Sequence, residues 1–130
     1  MEIFDKIKFS SDGLVPVIAQ DFETKEVLMM AWANKQALEN TVKTNKATYF
    51  SRSRGKLWCK GEESGNYQEI KEIRIDCDMD TVLFLVEQKG CKAACHTGHR
   101  SCFYRSFKDN DWQENDTPMM FEPEKIYQNK

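Results

Sequence analysis

The chain has 130 residues and a formal net charge of −2. That length holds one domain with a real core, and the near-neutral charge excludes a surface built for nucleic acid or for an anionic membrane. Five cysteines, an odd number, behind an N-terminus without an apolar leader point to reduced thiols in the cytoplasm, open to a metal, and away from a disulfide framework.

In chain order, residues 14–20 are apolar and β-branched and predict a strand, with Pro16 near its start, where its missing N–H costs least. A polar turn over 21–25 leads to a returning strand over 26–33. Asn34 suits an N-cap, and Ala37, Leu38, Thr41 and Val42 recur at helical spacing, so an amphipathic helix is expected over 35–44. Residues 47–54 alternate and predict a third strand. Gly55-Lys56 turns the chain, and 57–66, with Gly61, Ser64 and Gly65, reads as a loop.

A strand is expected over 67–75, its apolar spacing broken near Lys71-Glu72, where a bulge is predicted. The apolar run 81–88 reads as a buried strand and 102–107 as a last short one. No apolar run is long enough to span a bilayer. The sum is an α+β single domain, mostly antiparallel strands in a small barrel-like sheet with one main helix. Residues 1–107 form the domain, and 108–130 form an acidic C-terminal extension without an assigned role.

Two stretches carry metal chemistry. Asp76-Cys77-Asp78-Met79-Asp80 sets a thiol among carboxylates, and Cys95-His96-Thr97-Gly98-His99-Arg100-Ser101-Cys102 sets both histidines of the chain between two thiols. Thiolates suit zinc, and clustered carboxylates suit hard cations such as magnesium, so two metal chemistries are expected side by side. If 75–81 stays extended, Asp76, Asp78 and Asp80 share one face, and Cys77 points to the other, free to complete a site elsewhere or on another subunit.

With Cys77, the pair Cys95 and Cys102 makes three thiolates. A fourth ligand from Cys59, Cys91 or His99 would close a structural site. An open position would hold a water whose pKa falls toward ~7. His96, next to Cys95, is placed as general acid or base, with His99 its competitor. The aspartate run is no calcium helix-loop-helix, because Thr81 stands where the loop needs Gly. No Cys-x-x-Cys exists for a nucleobase deaminase or a thioredoxin-type centre.

A third stretch, Ser51-Arg52-Ser53-Arg54 with Trp58 to Asn66, offers guanidinium forks, hydroxyls and Gly-freed backbone amides suited to phosphate, and an indole suited to stacking. Together, Trp58-x-Lys60-Gly61-Glu62-x-Ser64-Gly65, the Asp76–Asp80 run and Cys95-His96-Thr97-Gly98-x-x-Ser101-Cys102-Phe103 resemble phosphoribosyl-AMP cyclohydrolase of histidine biosynthesis, in that family's order and spacing from about Gly13 to Phe107.

The resemblance implies hydrolytic opening of the adenine ring of phosphoribosyl-AMP between N1 and C6, which yields the formimino-aminoimidazole carboxamide ribotide. It implies one zinc per subunit on Cys77, Cys95 and Cys102, with Cys77 coming from the partner in a homodimer, and magnesium on Asp76, Asp78 and Asp80. Candidate substrate contacts are Arg52, Arg54, Trp58, Lys60, Glu62 and Ser64, and His96 is the catalytic candidate. The rival is a non-catalytic, zinc-stabilised binding module, which would tolerate loss of His96.

Overall fold

The alternating run near the N-terminus forms β1 (Val15–Asp21), with every second residue buried. The computed structural model describes residues 2–121. β2 (Val27–Ala33) returns antiparallel, Val15 opposite Ala33. The turn between them is held by Asp21, whose Oδ1 accepts from the amides of Glu23 and Thr24, both at 2.9 Å. Lys25 takes a left-handed φ of 67° to close it.

Asn34 caps α1 (Lys35–Thr44) as predicted, its Oδ1 accepting from the Ala37 amide at 2.8 Å, and Asn45 ends it in the left-handed conformation. Ala37, Leu38 and Thr41 are buried, but Val42 is exposed. The buried stripe is therefore narrower than the sequence spacing implies. Thr41 Oγ1 donates to Ala37 O at 2.8 Å and accepts from the Thr48 amide at 2.9 Å, which ties the helix to the strand after it.

That strand, β3 (Thr48–Ser51), pairs with β4 (Lys56–Cys59) in a separate hairpin. Residues 57–59 are thus strand, where a loop was expected, and Lys56, expected in the turn, begins it. The β-formers Leu57 and Trp58 find cross-strand partners in Phe50 and Tyr49, and local context of that kind outweighs the glycines that follow. β5 (Gln68–Ile75) carries the predicted bulge, a register shift between Ile70 and Glu72.

β6 (Val82–Gln88) lies between β5 and β1, antiparallel to the first and parallel to the second. The order β2-β1-β6-β5 gives an open, mixed, four-stranded sheet and not the expected barrel-like one. Leu38 and Tyr49 pack with Val17, Ala19, Leu28 and Phe84 into one core. Among the described residues no helix is long and apolar enough to cross a membrane.

The last expected strand lies later than residues 102–107. β7 (Arg105–Lys108) and β8 (Asp111–Glu114) form an exposed hairpin. Beyond it the chain returns to the cysteine-histidine loop, where Arg100 N donates to Pro118 O at 2.9 Å and Met120 N to Gly98 O at 2.6 Å. Residues 108–121 are therefore bonded to the segment whose chemistry matters. The rest of the expected extension, 122–130, lies outside the described residues.

Behind the 60–66 segment runs a buried polar chain. Tyr49 Oη donates to Gln68 Oε1 at 2.5 Å, Gln68 Nε2 to Gln88 Oε1 at 3.0 Å, and Gln88 Nε2 to Asn66 O at 2.7 Å. All three side chains are fully or almost fully buried. Gln88→Leu keeps the volume but strands a donor on Gln68 and the acceptor of Asn66. It should cost about 2–3 kcal/mol in denaturant unfolding, the usual penalty for buried groups left unpaired. An unchanged midpoint would show that the chain of amides does not hold this wall.

Candidate active site and metal centres

β3, β4 and the end of β2 line an open cavity of about 710 Å³, with the 60–64 segment and His96 completing its wall. Of the substrate contacts expected from sequence, Arg54, Trp58, Lys60, Glu62 and Ser64 line it. Arg52 is not in the lining. Its guanidinium covers the ring of Trp32 at 4.7 Å, and Trp32 does line the cavity. Ser53, in the stretch expected to offer hydroxyls, lines it too, and so do Trp32 and Lys56, which were not among the expected contacts. The signal for Trp32 was an indole at the end of an otherwise aliphatic strand; that for Lys56 was hidden by its place in the expected Gly55-Lys56 turn, where the structure begins β4.

Lys60 is buried, with its ammonium 5.5 Å from the Trp58 ring centre. Burial lowers its pKa, and the neighbouring Cys102 and Cys95 oppose that shift. No carboxylate lies within ion-pair distance of it among the described residues. A desolvated cation facing a cavity favours an anionic guest.

The two histidines have separate fates. His96 is exposed at the cavity wall. His99 stacks flat on Tyr104, ring centres 3.8 Å apart, and its Nδ1 lies 2.9 Å from Thr97 Oγ1. Its Nε2 is 3.9 Å from Glu114 of the β7–β8 hairpin.

Cys95 is buried and accepts a hydrogen bond from Thr97 Oγ1 at 3.0 Å. Cys102 is its neighbour, with its amide bonded to Leu28 O at 2.7 Å. Burial, and then the adjacent Cys95, pushes the Cys102 thiol up to about 12. A soft cation draws a thiol of this kind into the thiolate form, and two sulfurs set side by side are a donor set that fits zinc. Gly98 makes the loop possible. Its φ is 95°, and a Cβ there would collide with the Phe121 carbonyl oxygen.

The aspartates gather by a route other than the one expected. The strand ends at Ile75, and 76–80 is a tight turn with Met79 at a φ of 64°. Strand alternation therefore does not group the carboxylates. The turn does, through Asp76 Oδ1, which accepts from the amides of Asp80 and Thr81 at 3.0 and 3.1 Å. Ligand atoms of Asp76, Asp78 and Asp80 lie within 4.8 Å of one another, all exposed.

In Asp76 a desolvation cost is outweighed by those two amide bonds, and its pKa falls. That of Asp80 rises, through its contacts with Asp78 and then Asp76. Such a crowded, oxygen-only set fits a hard cation.

The two metal groups are not side by side within one chain. The turn precedes Val82, which pairs with Val17, whereas Cys102 and Arg100 attach near the far end of β1 and the start of β2. Val17 and Asp21 are four residues apart along β1, roughly 13 Å at the usual rise per residue. Among the described residues neither Cys77 nor any of Cys59, Cys91 and His99 converges with Cys95 and Cys102 as a third ligand.

Residues 29–104 match a family model described as phosphoribosyl-AMP cyclohydrolase. Proteins named phosphoribosyl-AMP cyclohydrolase are similar over nearly the whole chain. That of Pseudomonas fluorescens (strain Pf0-1) is 57% identical over 123 residues, covering 95% of this chain and 91% of its own. That of Pseudomonas putida (strain W619) is 55% identical over 126 residues, covering 97% and 95%.

Crowding at the aspartate turn has a measurable sign. A carboxyl whose pKa is raised on folding costs stability once pH exceeds its folded value, and Asp80 is such a group. Asp80→Asn should leave the metal-free melting temperature at neutral pH equal or higher, and should abolish any rise that added magnesium produces in the unmodified protein. A variant still stabilised fully by magnesium would remove Asp80 from the cation site.

Proposed function

The chain belongs to the phosphoribosyl-AMP cyclohydrolase family, and from that membership we propose that it opens the adenine ring of phosphoribosyl-AMP between N1 and C6 in histidine biosynthesis. The observation that carries the reading is the joint lining of one cavity by Trp58, Lys60, Glu62, Ser64 and His96, two of the three sequence motifs meeting in one place. A zinc-stabilised binding module has no need of a general acid–base group at the wall of such a cavity.

The chain's own residues divide the work. Trp58 and Trp32 offer indole faces for the purine. Arg54, Lys56 and Lys60, with the hydroxyls of Ser53 and Ser64, offer charge and donors for two phosphates. His96 takes a proton from the attacking water and returns one to N1 as the C6–N1 bond breaks. The water oxygen stays on C6, which becomes the carboxamide carbonyl. His99 is the weaker candidate, because its ring is held between Tyr104 and Thr97.

Cys95 and Cys102, with the partner subunit's Cys77, are the proposed zinc ligands, about one ion per chain. Zinc bound there supplies the Lewis acidity that makes water nucleophilic at neutral pH. Asp76, Asp78 and Asp80 are the proposed magnesium ligands, and the ion would help hold the phosphorylated substrate. The separation of Cys77 from the other two thiols in one chain supports a homodimer with shared sites. So do the exposed apolar side chains near the cysteine loop, Phe103, Phe107, Trp112 and Met119.

His96→Ala should keep its zinc and lose roughly a hundredfold or more in turnover, the usual worth of a general acid–base group. An active His96 variant beside an inactive His99→Ala would reverse the assignment. Mixing Cys77→Ser with Cys95→Ser should restore activity to about half the wild-type level per mixed dimer, because one site then carries both defects and the other neither. Demonstrated subunit exchange without recovered activity would sink the shared site.

A further inference from the structure

An arginine inside a motif that faces a doubly phosphorylated substrate invites assignment as a phosphate clamp. All three guanidinium nitrogens of Arg100 are already engaged elsewhere. Its Nε donates to Glu26 Oε1 at 2.6 Å, one terminal nitrogen to Asp21 Oδ2 at 2.7 Å and the other to Lys92 O at 3.2 Å. It is absent from the cavity lining. Its side chain is 17% exposed and that of Asp21 11%, so the pair is largely withdrawn from water, where charge-assisted bonds hold geometry best.

The same residue is a backbone hub. Ala94 N donates to Arg100 O at 2.9 Å, and Arg100 N donates to Pro118 O at 2.9 Å. Beside it, Ser101 Oγ donates to Val27 O at 2.7 Å and Cys102 N to Leu28 O at 2.7 Å. The Arg100 fork with its neighbours Ser101 and Cys102 therefore fastens the cysteine-histidine loop to both strands of the β1–β2 hairpin, at the point where Asp21 also closes that hairpin's turn.

We propose that Arg100 is a positioning residue, which, clamped by Asp21 and Glu26, holds Cys95 and Cys102 together and sets His96 against the cavity. Substrate phosphates are left to the cationic groups of the cavity itself. This assignment rests on the reading of Cys95 and Cys102 as metal ligands only for its metal readout.

The test compares Arg100→Gln, Arg100→Lys and Glu26→Gln in the full chain. Binding of cobalt(II) is followed by its sulfur charge-transfer absorption, and alkylation of metal-free Cys95 by peptide mass. Arg100→Gln should weaken cobalt binding about 10- to 100-fold, the usual effect of losing a group that orients ligands. Its turnover should fall while KM stays within about threefold, the pattern of a group that does not bind substrate in the ground state.

Arg100→Lys should recover only part, because an ammonium cannot fork to two carboxylates. Glu26→Gln should move every readout the same way by less, and it guards against a misfolded Arg100 variant. Buried Cys95 should alkylate several-fold faster in all three. Faster alkylation in a protein that binds no cobalt even unmodified would uphold the clamp and remove the metal reading. A KM raised tenfold or more with cobalt binding and alkylation unchanged would make Arg100 a phosphate contact and overturn the proposal.

Discussion

The parallel pairing of β1 with β6 is the constraint on which the rest depends. Parallel neighbours cannot be joined by a tight turn and need a long crossover. Here everything from β2 through β5 lies between the paired residues Val17 and Val82. β2 fills one edge and β5 the other, and the α1 and β3–β4 segments lie within the crossover. Most of the cavity is made from the part of the crossover that is not in the sheet, bounded by the strand end at Trp32, with His96 added from beyond β6. The hairpin needs no place in the main sheet, because Tyr49 drives its ring into the core against Phe84 and supports Trp58 on its other side, centres 5.9 and 5.6 Å away.

The fold was legible wherever one periodicity spoke alone. Asn34 and the helical spacing after it marked α1 to the residue, and the misplaced isoleucines of β5 marked its bulge. It was illegible where pairing decided the outcome. Lys56-Leu57-Trp58-Cys59 is too short and too close to Gly61 to announce itself as a strand, and it becomes one only because Thr48–Ser51 lies opposite. The open sheet was equally hidden, since strand count does not say which edges meet. The cavity-facing motif residues were readable because their chemistry is unusual. The Asp21–Arg100–Glu26 clamp was not, for its members stand more than seventy residues apart and each looks like an ordinary surface charge.

Preorganisation in this protein is bought with buried polar groups set just behind the chemistry. The glutamine chain from Tyr49 to Asn66 stands behind the 60–66 wall, and the arginine fork stands behind the cysteine-histidine loop. Both are costly if any member is left unpaired, so both discourage alternative packings. No buried side-chain polar atom lacks a partner among the described residues. The groups that face the cavity are different in kind. Lys60 is desolvated without a carboxylate partner, and His96 is open at the wall. Rigid, satisfied networks behind and under-compensated charge in front is the arrangement expected of a site that binds anions and moves protons.

The aspartate turn gives the last step of the synthesis. Alternation along an extended strand would have sent Cys77 one way and its carboxylate neighbours the other, allowing two independent sites. The tight turn instead clusters the carboxylates of Asp76, Asp78 and Asp80, with exposed Cys77 in the same five residues, at the end of the sheet away from Cys95 and Cys102. A unit so compact travels together. If its thiol completes the zinc site of a second copy, its three carboxylates arrive at that copy's cavity with it. Twofold symmetry then returns the same unit from the second copy to the first. On that geometry, two metals of opposite ligand preference need no long protein framework to bring them near one substrate. On the proposed assignment a five-residue turn would supply the carboxylates of one site and the third thiolate of the other, with the span of β1 between them in either chain alone.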